Sequence, residues 1–165
     1  MTRKIKFRGK DILTDKWVYG DLLHLGNAYA IVTSYEEEEL KVNPISDRLE
    51  IRVEDIAGVY PETVGQLTGL LDKNGKEIWE GDIVRVGILS PNYTGSYPEP
   101  YYVDTVCIYK EGAFLYKRIS PFDKKKLSRN WTYKPMHRYE IYSTEVIGNI
   151  HDNPNNLKQK HYDTK

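Results

Sequence analysis

The stretch 72–86, DKNGKEIWEGDIVRV, holds four acids, Asp72, Glu77, Glu80 and Asp82, around two glycine turns. Acids at this spacing can bind calcium, flank a phosphate loop or form a hydrolytic carboxylate pair. A calcium loop of the EF-hand type needs oxygen ligands at its first, third and fifth positions, glycine at the sixth and glutamate at the twelfth. Counted from Asp72, Asn74 fits. Lys76 then puts a cation into the ligand ring, Glu77 takes the glycine place, and Ile83 stands where the bidentate acid belongs. A phosphate loop needs four residues between its glycines and then Lys followed by Ser or Thr. Here five separate Gly69 from Gly75, and Glu77 replaces the hydroxyl. Both readings fail on residue type.

The carboxylate pair is harder to dismiss. Glu77, Glu80 and Asp82 are close in sequence, and Asp104 and Glu111 are candidates to lie near them in space. Hydrolysis by two acids needs them in differing environments. Acids beside glycine turns also accept hydrogen bonds from backbone N–H groups and keep strand ends wet, and this turn chemistry is the preferred reading. Metal chemistry has less to work with. His24, His137, His151 and His161 show no ligand spacing, and one cysteine, Cys107, cannot build a zinc cluster. Cys107 lies in a strand pattern between Val106 and Ile108 and is expected to be a buried, inert thiol. No catalytic residue, metal ligand or cofactor is expected.

The other polar feature is FDKKKLSRNWTYKPMHRY, 122–139. Cations that hold phosphates beside aromatics that stack bases are what a single-stranded nucleic acid needs. Lys124, Lys125, Lys126, Arg129, Trp131, Tyr133 and Lys134 are the candidates for such a role. Its competitor is a solvated loop, or one that meets acidic residues of the same or another copy. The charge distribution supports that competitor: residues 36–62 carry nine acids and three bases, a net of −6, and residues 117–138 carry eight bases and one acid, a net of +7. The whole chain is neutral, with 24 acids and 24 bases, so it projects no strong field towards DNA.

These residues must be held by strands. IKFRG (5–9), WVY (17–19), AYAIVTSY (28–35), LEIRV (49–53), Ile83–Ile88, VDTVCIY (103–109), AFLYKRI (113–119) and one or two strands in 139–150 show strand composition or alternation. Asn74-Gly75 is the pair favoured in a type I′ hairpin, with arms at Gln66–Leu71 and Glu77–Trp79. Lys110-Glu111-Gly112 marks another hairpin. Pro61–Gln66 is the best short helix. The expected class is mainly β: small antiparallel strands forming a barrel or sandwich, with one or two short helices and an SH3-like barrel as an option for the C-terminal part. The expected division is an N-terminal β subdomain at 1–62, a barrel-like domain at 63–155 and a tail at 156–165. At 165 residues the chain can bury roughly 70% of its unfolded surface without a disulfide or metal staple. The charged start MTRKIKFRGK leads into no apolar run, and no stretch approaches the ~20 apolar residues of a membrane helix, so neither a leader nor a membrane segment is expected.

Three blocks are diagnostic as text: KIKFRGKDILTDKWVYGDL (4–22), VGQLTGLLDKNGKEIWEGDIVRV (64–86) and EVIGNIHDNPNNL (145–157). In this order they resemble the YopX family of phage and prophage proteins. The resemblance implies a β-rich, virus- or prophage-encoded protein in the cytoplasm of a bacterial host, and assembly into symmetric oligomers. It brings no catalytic or binding residues with it. The expectation is therefore a non-enzymatic accessory protein that assembles with itself or binds a phage or host protein. Nucleic-acid binding through 122–139 is the alternative, and a small hydrolase using acids of 77–82 comes after it.

Overall fold

The structure, a computed structural model, describes residues 5–35, 41–43, 48–50, 53–88, 101–120, 132–136 and 144–153. The chain divides into two compact units, Met1–Leu67 and Thr68–Lys165.

In the first unit the strands are β1 (Phe7–Lys10), β2 (Trp17–Leu25), β3 (Ala28–Tyr35), β4 (Lys41–Asn43), β5 (Arg48–Glu50), β6 (Val53–Gly58) and β7 (Gly65–Leu71), which continues into the second unit. The main sheet runs β6-β3-β2-β1-β7, and β4 and β5 form a separate antiparallel pair. Burial departs from simple alternation: Ile5 is exposed ahead of β1 and Arg8 buried on it, and the neighbours Ile31 and Val32 of β3 are both buried, while Tyr19 and Thr33 face water. The expected helix at Pro61–Gln66 is a single 3-10 turn, Pro61–Thr63. Thr63 Oγ1 accepts the N–H of Lys10 at 2.9 Å and donates to Tyr60 O at 2.7 Å, which fastens this turn to β1.

The second unit adds β8 (Glu77–Trp79), β9 (Asp82–Ile88), β10 (Tyr101–Lys110), β11 (Ala113–Arg118), β12 (Tyr133–Pro135) and β13 (Thr144–Asn149). β8 pairs beside β7, and the other five make an antiparallel sheet in the order β12-β11-β10-β9-β13. Ile78, Val84, Val86, Cys107 and Tyr116 form its core, with Leu70, Ile88, Phe114, Met136 and Val146 against them. Burying one such aliphatic or aromatic side chain contributes about 1.5–3 kcal/mol.

The fold is mainly β, in two antiparallel sheets, and neither closes into a barrel. The SH3-like option for the C-terminal part is not realised, because β12 and β13 end an open sheet. The nearest approach to closure lies in the first unit, where an isolated bridge joins Asp11 and Val59. One turn also differs in kind. Gly75 has φ +81° but Asn74 stays at negative φ, so 72–76 is no type I′ turn. Gly75 N–H donates to Asp72 O at 3.0 Å and Asp72 N–H to Lys76 O at 2.8 Å, a longer loop with one left-handed residue. Glu111 (φ +53°) and Gly112 (φ +82°) are the pair with both residues left-handed, at the β10–β11 turn.

Candidate functional site

Asp72 is the centre of the acidic stretch, and it is 4% exposed. Asp is placed here because its short carboxylate can accept from the backbone just ahead of it. Its Oδ1 accepts the N–H groups of Asn74 at 2.8 Å and Lys76 at 2.9 Å, and its Oδ2 accepts Val146 N–H at 3.0 Å. Burial opposes the charge. The amides of Val146, Lys76 and Asn74 and the Lys76 ammonium outweigh that opposition and hold the Asp72 pKa below the ordinary carboxylate value. Two further contacts join the same turn to β13: Lys73 N–H donates to Thr144 O at 3.0 Å, and Lys73 Nζ meets Glu145 at 2.7 Å. An edge strand is thereby covered by a turn, which blunts the tendency of open edges to pair with other chains.

Asp82 repeats the pattern one turn later. It is 2% exposed and accepts Trp79 N–H at 2.9 Å and Asn149 Nδ2 at 3.2 Å. Between them Gly81 N–H donates to Cys107 O at 2.9 Å and Ile150 N–H to Gly81 O at 3.0 Å. Glu80 accepts Tyr109 N–H at 3.2 Å, and Glu77 is exposed. Thr68 Oγ1 donates to Ile78 O at 2.7 Å. Asp104 and Glu111 each face a cation. Asp104 takes Arg85 in a two-point pair at 2.8 and 3.2 Å, and Glu111 lies 3.3 Å from Lys110 Nζ. Glu80, Asp82 and Asp72 thus spend their oxygens on backbone and amide donors, as turn chemistry requires.

Of the histidines, His24 and His151 are among the described residues. His24 stacks on Tyr29 with ring centroids 4.3 Å apart, and His151 donates its backbone N–H to Asn149 Oδ1 at 2.9 Å. His137 and His161 lie outside the described residues. Cys107 is buried, with its sulfur 3.6 Å from Met136 Sδ. Among the described residues no three of His, Cys, Asp and Glu come together to hold a metal ion, and no helix is long and apolar enough to cross a membrane.

Of the basic–aromatic candidates, Lys124, Lys125, Lys126, Arg129 and Trp131 lie outside the described residues. Tyr133 and Lys134 lie on β12, and strand alternation sends them to opposite faces. Tyr133 pairs across from Lys117, and Lys134 pairs across from the buried Tyr116. Lys110 Nζ sits 4.4 Å from the centre of the Tyr133 ring. The grouping around Tyr133 therefore holds Lys110 and Lys117, which sequence adjacency did not supply, and omits Lys134, which it did.

The YopX family model matches residues 6–158. The chain belongs to the YopX family. It is also similar to the crystal structure of protein EF1440 from Enterococcus faecalis, at 26% identity over 94% of this chain and 99% of that one, with a TM-score of 0.54. No curated protein matches it. The family-like blocks now have a physical meaning. Two of them, 64–86 and 145–157, meet through Asp72–Val146, Lys73–Glu145 and Asp82–Asn149, so the text that marks the family is the text that closes the second unit.

Proposed function

We propose that this protein is a phage or prophage accessory protein of the bacterial cytoplasm that acts without catalysis, by assembling with copies of itself. The observation that carries this reading is the β1–β2 turn. Asp11 Oδ1 accepts the N–H groups of Leu13 at 2.8 Å and Thr14 at 2.7 Å, and Tyr60 Oη donates to Ile12 O at 3.4 Å. The turn so fixed leaves Leu13 93% exposed, beside Ile12 at 49%. Holding an apolar side chain rigidly in water costs free energy that a partner surface recovers. Ile12 also lies against Gly58, whose strand carries Ile56 at 54% exposed, so the apolar tip continues onto β6. Acids of 36–62 and bases of 117–138 make a second copy a fitting partner, because a head-to-tail contact can bring opposite charges together. That Asp72, Glu80 and Asp82 accept from backbone donors supports the non-catalytic part.

Light scattering on chromatographed protein tests the assembly. The expected result is a mass above one chain that falls when Leu13→Asp is introduced, with salt weakening the contact. A salt-insensitive monomer at high concentration would sink the reading.

A further inference from the structure

We propose that the face of β10, β11 and β12 around Tyr133 binds single-stranded nucleic acid, with Tyr133 as the stacking surface and Lys110 and Lys117 as phosphate contacts. This proposal is independent of the assembly reading and goes beyond it.

The register supplies the first support. Arg118 N–H donates to Thr132 O and Met136 N–H to Phe114 O, so Lys117 and Tyr133 form a pair without mutual backbone bonds. Side chains stand closest at such pairs, with Cα atoms about 4.5 Å apart. Both residues are exposed. Lys117 makes no ion pair with another described residue, so its charge is available to a phosphate. Lys110 lies over the same ring at 4.4 Å. Its contact with Glu111 is surface-exposed and leaves the ammonium accessible, since such pairs hold weakly. A tyrosine ring held against one cation keeps its second side for a base, and stacking of this kind accepts any base.

The edge geometry argues against a protein strand as the occupant. In this register the backbone groups of Tyr133 and Pro135 point away from β11, and proline has no N–H to offer. An added strand would therefore lose a ladder bond at the end of this short edge. A stacked base and two phosphates need no ladder.

The test is fluorescence anisotropy of the full chain with a labelled oligothymidylate of about 20 nucleotides, titrated at several salt concentrations. Tyr133→Ala is expected to weaken binding about tenfold, and Tyr133→Phe to restore it. Lys110→Ala with Lys117→Ala should make the salt slope shallower by roughly 1.4, from about 0.7 per phosphate contact on a single strand. Lys134→Ala, on the opposite face, should leave affinity within about twofold if contact and not net charge decides. Absence of binding at low salt overturns the proposal. So does a Lys134→Ala loss as large as that of Lys117→Ala, because it would mean a diffuse attraction with no defined face.

Discussion

Asp72 and Asp11 carry out the same local chemistry in two regions and serve opposite ends. Each carboxylate accepts from two backbone N–H groups a few residues ahead and so fixes a tight turn. At Asp72 the second oxygen continues to Val146, on a strand 74 residues away, and the whole group is buried. At Asp11 the turn faces water, and the residue it presents is Leu13. A turn motif therefore says how a loop is held, not what the loop is for. What decides is whether the carboxylate has a long-range partner. Where it does, the turn closes the unit. Where it does not, the turn displays a side chain.

The difference can be broken from the buried end first. Asp72→Ala should cost about 3 kcal/mol in urea unfolding, because three donors lose a charged acceptor and one of them is on another strand. Gly75→Val should cost less, about 1–3 kcal/mol, since no atom lies within 4 Å of an added Cβ and only the left-handed backbone resists the side chain. Leu13→Asp should leave unfolding unchanged while it removes association, because the side chain is already in water. A Leu13→Asp protein that unfolds early would mean that the tip is structural after all.

Much of the fold was legible. The span 28–35 has strand composition, and β3 occupies it. The arms on either side of Asn74-Gly75 are the strands β7 and β8. Strand composition and glycine turns are local signals, and they survive folding, whereas alternation failed around β1, where Arg8 is buried and Ile5 exposed. The turn type at 72–76 was misread because Asn-Gly is favoured by a two-residue hairpin, whereas Asp72 hydrogen bonds build a longer loop in which Asn74 stays at negative φ. Sheet closure was not legible, since it depends on which distant edges meet. The site suffered in the same way. Adjacency grouped Tyr133 with Lys134, yet neighbours on a strand face opposite sides. Lys117 and Lys110 reach Tyr133 only through the register of β10, β11 and β12. Spacing offers Asp72 only as the first position of a spoiled calcium loop, and its tie to Val146 is not contained in that spacing.

The most direct test of the central difference is the urea unfolding midpoint of wild type, Asp72→Asn and Asp11→Asn, measured side by side at neutral pH and near pH 3.5. Both aspartates have pKa values held below the ordinary one: Asp72 because its amide donors and Lys76 outweigh burial, Asp11 chiefly because Thr14 N–H donates to it. A depressed carboxylate pKa contributes stability above the unfolded value of about 3.9 and loses it as the pH falls through the folded value. Expected are a large drop in the midpoint for Asp72→Asn at neutral pH, a much smaller one for Asp11→Asn, and an acid loss of stability that flattens mainly in Asp72→Asn. Equal drops, or a larger one at Asp11, would contradict that difference.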